Sequence, residues 1–365
     1  MINNSIFYLI LIGLTHGAVP HGVMVINAPT EVKDLATDLT NWMTLLPADL
    51  QKVPINYLAI PGSHDSFTVD ISKDSNVSPD GVDILKKLEF LTVVKDVMAN
   101  WSKTQAFNVV QQLEAGIRFF DLRLCFDSDD GHFHFCHSLY STEVYGVLRN
   151  ISSYLDAHPQ EVVILDCQHF YNFTTETHAE IIQALKDIFG SKLVPYQSSM
   201  DSITLENLAK AKQQVLVIYR DMMQSSQDFL WSTNSFPTPW YDTMDSEQLI
   251  SNLNNGLADR PSDTAYVSQL ILTPPIEYIL AHLLSTLKQK CALDFEDART
   301  QWISAQKPGQ YGVNIVLGDF IDLSDDLFSR SVINLNSKLD TKELNKGFFK
   351  KVVTFVKNLE TKIFS

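Results

Sequence analysis

The chain has 365 residues, 45% of them hydrophobic, with 28 Lys and Arg residues against 43 Asp and Glu residues. Such a length and apolar content predict a folded protein with a substantial core and exclude an intrinsically disordered one. The formal charge of −15 repels nucleic-acid phosphate, so nucleic acid is not an expected partner.

Residues 1–20 are predicted to be a signal peptide. Their apolar run, Ile6 to Leu14, is shorter than the ~20 residues that a membrane-spanning helix needs. The segment lacks the Lys or Arg that a signal peptide usually has, so a first strand or helix is the alternative. Five glycosylation sequons fit secretion: Asn3, Asn76, Asn100, Asn150 and Asn172. We expect a secreted or extracellular protein, with a cytoplasmic location as the alternative.

The four cysteines are too few for a disulfide scaffold in a chain of this length. They are Cys125, Cys136, Cys167 and Cys291. Buried thiols are their expected state, because free cysteine is among the most buried residue types. If the chain is secreted, Cys125 with Cys136 is the first pair to test for a disulfide.

Seven apolar segments rich in β-branched and aromatic residues predict strands along the chain. They are NYLAI (56–60), GIRFFDLRL (116–124), HFHFCH (132–137), EVVILDC (161–167), QQVLVIY (213–219), YVSQLIL (266–272) and GVNIVLGDF (312–320). Segments with helical periodicity, such as residues 175–189 and 275–290, lie between most of them. This alternation predicts an α/β protein with a parallel sheet covered by helices.

Seven strands favour a distorted TIM-type (β/α) barrel over an open sheet. An eighth strand would have to lie in the loop-like stretch FLWSTNSFPTPWYDT, residues 229–243. Because no linker or repeat divides the chain, we expect a single barrel domain over residues 45–328, followed by a C-terminal helical tail over residues 329–365. We also expect a monomer.

The last part of the helical tail is amphipathic. Lys350, Lys351 and Lys357 lie largely opposite an apolar helical face. That face contains Phe349, Val352, Val353, Val356, Leu359 and Ile363. A basic amphipathic helix can lie on a membrane, so peripheral membrane contact through this helix is a hypothesis, with packing against the barrel as the alternative.

The stretch LAIPGSHDSF, residues 58–67, combines an apolar run with a polar end. We interpret it as a strand that stops at a Pro-Gly turn and then presents Ser63, His64, Asp65 and Ser66. Five more polar residues lie at the ends of predicted strands: Asp121, Arg123, His137, Gln168 and Asp319. Because a β/α barrel places its active site at the carboxyl ends of its strands, these side chains form the candidate site.

The segments IPGSHDSF, GIRFFDLRL, HFHFCHSLYS, EVVILDCQHF and NIVLGDF resemble those of the X-domain-containing, phosphatidylinositol-specific phospholipase C proteins, in the metal-independent branch. The resemblance covers about residues 50 to 325. It implies a phosphoric diester hydrolase of the phospholipase C type, which cleaves the glycerol–phosphate bond of an inositol phospholipid through a cyclic inositol phosphate. Histidine suits the proton transfers because its pKa of ~6.5 lies near neutrality.

The same resemblance implies roles for individual residues. It makes His64 the general base and His137 the general acid, with Arg123 on the phosphate oxygens. It makes Asp65 the support of the acid and Asp319 the group that orients His64. The substrate contacts that it implies are Asp121, Gln168, Arg220 and either Trp240 or Tyr241.

No metal and no other cofactor is expected. Calcium-dependent relatives carry acidic groups where this chain has Arg123 and Gln168, and calcium needs six or more oxygen ligands. The expected partner is a phospholipid substrate at a membrane surface.

Three alternatives stay open. A dinuclear zinc loop could use His132, His134 and His137, although Cys136 stands where such a loop has Asp. A metal-dependent glycerophosphodiester or sphingomyelin phosphodiesterase needs two carboxylates spaced two apart, a pair that Arg123 breaks. A catalytically inactive protein that binds lipid or inositol phosphate, secreted or membrane-associated, could retain the same barrel.

Overall fold

The computed structural model describes residues 34–81 and 92–341, and these residues contain nine strands in one sheet. The strands are β1 (Ile60–Ser63), β2 (Phe119–Asp127), β3 (His132–His137), β4 (Leu139–Glu143), β5 (Val163–Tyr171), β6 (Val215–Tyr219), β7 (Leu230–Trp231), β8 (Val267–Gln269) and β9 (Ile315–Gly318). Seven of them pair in parallel in the order β7-β6-β5-β2-β1-β9-β8. The predicted α/β barrel architecture is therefore confirmed. The predicted signal peptide and the amphipathic residues 342–365 lie outside the described residues.

The chain after β7 joins the two ends of this strand order. The backbone N–H of Ala265 donates to the carbonyl of Ser235 (3.0 Å), and that of Val267 donates to the carbonyl of Pro237 (2.9 Å). These two bonds close the curled sheet between β7 and β8. β7 itself lies in the stretch where the eighth strand was expected. Its two residues are too few to produce a strand periodicity, which is why the sequence reads there as a loop.

Ten α-helices occur in the described residues. They are α1 (Trp42–Leu45), α2 (Thr92–Ser102), α3 (Val109–Glu114), α4 (Val144–Ala157), α5 (Thr175–Phe189), α6 (Leu205–Ala211), α7 (Ser246–Ala258), α8 (Ile276–Ala281), α9 (Glu296–Ala305) and α10 (Leu327–Asn334). α5 has the bounds predicted from its periodicity, and a capping box between Thr174 and Thr177 begins it. Within these ranges, no helix combines the length and the apolar content that crossing a membrane requires.

The single helix predicted over residues 275–290 is wrong. α8 ends at Ala281, and a π-helical turn, Lys288–Leu293, follows after a gap. Between them, His282 N–H donates to Ile279 and Ser285 N–H donates to His282, which are three-residue turns rather than α-helical bonds. Three of the four leucines of this segment lie at the surface, so the periodic pattern alone does not hold a helix together. They are Leu280, Leu283 and Leu284, with 57%, 44% and 103% exposure, whereas Leu287 is buried.

The Pro-Gly turn predicted after residues 56–60 is also wrong. Pro61 and Gly62 lie inside β1, and Gly62 pairs with Phe119 on one side and Leu317 on the other. A Cβ atom on Gly62 would lie 2.9 Å from Leu317 Cδ1 and 3.1 Å from Phe119 Cβ. This glycine therefore permits close packing between neighbouring strands instead of a turn.

Residues 132–137 form a strand, as predicted, but outside the parallel series. β3 pairs antiparallel with the end of β2, and β4, which the sequence did not reveal, pairs antiparallel with β3. A disulfide joins Cys125 of β2 to Cys136 of β3, the pair that the sequence singled out. Cys167 and Cys291 are free and buried, the state expected for this chain's cysteines.

Alternate residues of the strands contribute to two cores. Phe119 and Leu317 point into the barrel, whereas Phe120 and Val316 point outward against the helices. The inner core extends beyond the sheet, because Leu35, Ala36, Leu39, Trp42 and Ile333 belong to it. Residues before 45 and after 328 thus contribute to the hydrophobic core that supports the barrel.

Candidate active site

The carboxyl ends of β1 and β9 lie beside Asp121 of β2 at one end of the barrel. Ser63, the last residue of β1, pairs with Phe120 of β2 and with Gly318 of β9. The next residues along the three strands, His64, Asp121 and Asp319, are therefore brought together. The cavity above them has a volume of about 290 Å³, and its lining includes His64, Arg123, His137, Trp240 and Asp319.

His64 is buried among three carboxylates. Its Nδ1 lies 2.8 Å from Asp319 Oδ1, and its Nε2 lies 3.5 Å from Asp65 and 3.9 Å from Asp121. Burial disfavours the charged ring, but Asp65 and Asp319 outweigh burial and raise the pKa of His64 to about 9. Trp240 stacks on the ring with 5.5 Å between centroids. The imidazole is thus fixed in place and protonated at neutral pH.

Arg123 is paired with a buried carboxylate. Its Nε lies 2.5 Å from Asp65 Oδ1. Burial alone would raise the pKa of Asp65, but Arg123, with help from His64, lowers it to about 2. Burial and the charge of Asp65 raise the pKa of Asp121 to about 7. The site therefore keeps Asp65 ionised and gives Asp121 a proton equilibrium near neutrality.

The backbone at Asp65 adopts the left-handed region, with φ of 39°. Such a conformation is costly for a residue other than glycine and often occurs at functional sites. The surrounding bonds hold it: the Thr104 hydroxyl donates to the Asp65 carbonyl (3.0 Å), and Ser66 N–H donates to the Asp121 carbonyl (2.9 Å). This turn directs the Asp65 carboxylate between the two histidines.

His137 ends β3 on the other side of Asp65. Its Nδ1 lies 2.8 Å from the carbonyl of Ser102 and 3.5 Å from Asp65 Oδ2. Because a carbonyl oxygen can only accept, Nδ1 carries the proton of that bond. Nε2 is then the ring atom that can exchange a proton with a molecule in the cavity. The structure brings together all five residues predicted to be catalytic.

The segment from Ser102 to Gln105 holds both histidines, and sequence reasoning missed it. Besides the Ser102 and Thr104 bonds, the Gln105 amide donates to the carbonyls of His64 (2.9 Å) and Gly318 (3.0 Å). Thr104 and Gln105 are completely buried. Their types carry no chemical signal in a sequence, since only the fold shows which carbonyls they bond.

The predicted substrate contacts separate into two groups. Asp121 and Trp240 lie at the site, as described above. Arg220 instead forms two bonds to Asp166, at 2.7 and 2.8 Å, and a third to the carbonyl of Phe236. It is not among the residues that line the catalytic cavity. The charge of Arg220 is thus neutralised by a carboxylate within the barrel.

A shift in strand pairing changes the residue beside Arg123. The β2–β5 register shifts after Leu122, so Arg123 lies opposite His169, whereas Gln168 has no partner in the ladder. Burial and the charge of Arg123 lower the pKa of His169. Sequence reasoning missed His169, because a bulge inverts the alternation on which a strand pattern depends.

Two groups of side chains in the described residues bear on metal ligation. His64, Asp65 and Asp121 could offer ligand atoms within 4.8 Å of one another, but the Arg123 guanidinium already lies against Asp65. The proposed zinc triad is not assembled in the described residues. His134 bonds to Asp130 and to the Ser141 carbonyl, whereas His137 bonds to Ser102.

The fold and the site define a class, that of barrel proteins with a phosphatidylinositol-specific phospholipase C architecture. Residues 93–221 match the family model described as "Phosphatidylinositol-specific phospholipase C, X domain". A solved mutant of this enzyme from Staphylococcus aureus is similar, with a TM-score of 0.58 and 17% identity over 83% of this chain and 98% of that one. The Listeria monocytogenes enzyme has a TM-score of 0.53 and 19% identity, over 83% of this chain and 100% of that one. At these identities the similarity establishes the fold.

Comparison with curated relatives shows which family within this class the chain belongs to. PI-PLC X domain-containing protein 2 of Mus musculus is 39% identical over 309 residues, 84% of this chain and 90% of that protein. PI-PLC X domain-containing protein 3 of Homo sapiens is 37% identical over 312 residues, which are 84% of this chain and 96% of that protein. The chain belongs to the family of PI-PLC X domain-containing proteins, which confirms the resemblance seen in its motifs.

Proposed function

We propose that the protein cleaves an inositol phospholipid to a cyclic inositol phosphate and diacylglycerol. The observation that carries this proposal is the placement of His64 and His137 on either side of Asp65, with Arg123 beside them. His64 Nε2 takes the proton of the inositol 2-hydroxyl, and that oxygen bonds to phosphorus. The bond from phosphorus to the glycerol oxygen breaks, and His137 Nε2 gives this oxygen a proton.

The charges of the site support the same chemistry. Arg123 can hydrogen-bond the non-bridging phosphate oxygens, where negative charge increases in the transition state. Asp65 balances the histidines and the arginine within a buried site. The role that a divalent ion has in calcium-dependent relatives is therefore proposed to fall to Arg123, and the reaction is proposed to need no metal.

Membrane contact is part of the proposal. The Staphylococcus aureus enzyme binds membranes, and its membrane binding has been modulated. We propose that this chain likewise meets its phospholipid at a membrane surface, as a peripheral protein.

The decisive experiment measures the cyclic product from phosphatidylinositol, with and without excess chelator. We expect cyclic inositol phosphate at the same rate in both conditions. His64→Asn and His137→Asn should each reduce kcat by about a hundredfold or more, because each removes a proton-transfer group. His132→Asn, at an exposed position of the same strand as His137, is the matched control.

Each rival function has its own outcome. Activity that disappears in chelator would contradict the metal-independent reaction and favour a metal-dependent phosphodiesterase. Absence of product from the wild type, with binding of inositol phosphate retained, would favour a catalytically inactive binding protein.

A further inference from the structure

The turn that directly follows His137 is tight. Ser138 is the single residue between β3 and β4, and His137 pairs with Leu139 across it. The Ser138 backbone adopts the left-handed region, with φ of 62°, which is unfavourable for most residues other than glycine. Such a conformation persists only where the surrounding structure holds it. The turn therefore depends on contacts from outside the hairpin.

A loop from an earlier part of the chain makes those contacts. Residues 76–80, here called the bracing loop, lie beside the start of β4. Val77 forms an antiparallel bridge with Leu139, and the backbone N–H of Tyr140 donates to the carbonyl of Asn76 (2.9 Å). The bracing loop thus runs along the hairpin at the point where the hairpin turns.

Both backbone polar groups of Ser138 bond to the bracing loop. The Ser138 carbonyl accepts from the N–H of Ser78 (3.1 Å), and the Ser138 N–H donates to Asp80 Oδ2 (2.8 Å). The Ser78 hydroxyl donates to the other carboxylate oxygen of Asp80. Hydrogen bonds to an ionised carboxylate are stronger than those to a neutral acceptor, so the Asp80 side chain is the principal support of this turn.

The supported turn carries the proposed acid. His137 and Ser138 are adjacent, and both line the catalytic cavity. The bond from His137 Nδ1 to the Ser102 carbonyl fixes the tautomer of the ring, but the position of the ring also depends on the His137 Cα, and hence on the turn. A general acid must lie within hydrogen-bond reach of the oxygen that it protonates, so a small displacement of this Cα slows the reaction.

We propose that Asp80 is a positioning residue for the proton donor. By accepting the Ser138 N–H, its carboxylate holds the β3–β4 turn so that His137 Nε2 stays within reach of the departing oxygen. Asp80 itself exchanges no proton with the substrate. This assignment rests on the proposed phospholipase C reaction, in which His137 is the acid.

The test compares two leaving groups on one headgroup. The substrates are the butyl and 4-nitrophenyl esters of myo-inositol 1-phosphate, which share the attacking hydroxyl and differ in the oxygen that departs. Butoxide is a strong base and needs a proton from the acid, whereas nitrophenolate leaves without one. Asp80→Ala should lower kcat about tenfold for the butyl ester and less than about twofold for the nitrophenyl ester. A residue that only stabilises the fold would affect the two esters equally.

Matched variants separate position from charge and from folding. Asp80→Asn keeps an acceptor for the Ser138 N–H, so both rates should stay near those of the wild type. Asp74→Ala, at an exposed position shortly before the bracing loop, should change neither rate. His137→Asn removes the acid itself and should reproduce the selectivity of Asp80→Ala with a larger loss.

Urea unfolding shows whether Asp80→Ala is folded. If it is not, Asp80→Glu replaces it, because the longer side chain displaces the acceptor and should again slow the butyl ester selectively. Equal losses for the two esters, or full activity on both, would overturn the positioning role and leave the reaction standing. A wild type that cleaves neither ester would refute the proposed reaction, and the role of Asp80 with it.

Discussion

The charges around the His64 imidazole control when this ring can act as a base. Asp65, Asp121 and Asp319 all lie within 3.9 Å of it, and the ring is 5% exposed. The same carboxylates that orient the ring stabilise its protonated form. A base with a pKa of about 9 is mostly protonated at pH 7, so its neutral fraction limits the reaction.

A pH profile tests this relation at a single residue. Because the reaction needs neutral His64, kcat/KM should rise with pH until about pH 9. Asp319→Asn removes one carboxylate that favours the charged ring, so the rising limb should move to lower pH. Asp322→Asn, at a carboxylate paired with Lys288, should leave the limb in place. A limb with the same midpoint in the wild type and Asp319→Asn would contradict the assignment.

The sequence predicted which residues meet at the site better than it predicted the residues that hold them in place. His64, Asp65 and Asp319 could be predicted because they follow apolar runs at positions where barrels place active sites. Gln105 could not, because its bonds to the His64 and Gly318 carbonyls depend on tertiary contacts. Arg220 lies at a strand end like the others, but its partner Asp166 is on a neighbouring strand, and no spacing rule reveals that pair.

At the scale of elements, the β2–β3 hairpin carries two of the side chains proposed to be catalytic on one cross-linked unit. Arg123 lies on β2, two residues before Cys125, and His137 follows Cys136 on β3. The disulfide thus fixes the strand that carries Arg123 relative to the strand that carries His137. Loss of this link should affect both folding stability and the spacing of the site.

The double variant Cys125→Ala/Cys136→Ala tests the contribution of the link. Closing a loop with a sequence separation of 11 restricts the unfolded chain, so the variant should lose up to about 3 kcal/mol of unfolding free energy. Urea unfolding measures this loss. Dithiothreitol should lower the stability of the wild type to a similar extent and leave the double variant unchanged. A wild type that is equally stable with and without reductant would refute the prediction.

The errors at this scale have local causes. Residues 275–290 have a helical pattern, but Leu280, Leu283 and Leu284 are exposed, so only part of the pattern gains packing energy from a continuous helix. β1 extends beyond its predicted end because Gly62 packs between two strands, a role that resembles a turn when read from the sequence alone. Antiparallel β3 could not be distinguished from a parallel strand, because apolar alternation is common to both.

At the scale of the whole molecule, the residues that stabilise the barrel are different from the polar residues of the candidate site. The inner core extends from Leu35 to Ile333, whereas the polar residues of the site stand on the carboxyl ends of the strands. Six of the seven parallel strands were predictable from repeated apolar runs, and β7 was not. The closure between β7 and β8 was not, because two backbone bonds from Ser235 and Pro237 leave no trace in a hydrophobic pattern.

The tail is basic in an acidic chain, and this contrast makes membrane binding by the tail testable. Residues 342–365 contain six Lys and two Glu residues in a chain whose formal charge is −15. If the tail contacts lipid, deleting it should weaken sedimentation with vesicles, most strongly with anionic vesicles at low salt. The triple variant Lys350→Glu/Lys351→Glu/Lys357→Glu should abolish the preference for anionic lipid while retaining the apolar face.

The deletion also distinguishes the tail from the catalytic cavity. Every residue with a proposed role in the reaction lies before residue 342, so the deleted protein should cleave a soluble phosphatidylinositol analogue at the wild-type rate. Vesicle binding that is equally strong without the tail would refute the interfacial role of this helix. Lipid contact would then have to come from elsewhere, and the exposed Leu280 and Leu284, which follow the cavity-lining Ile279 along the chain, would be the next positions to change to serine.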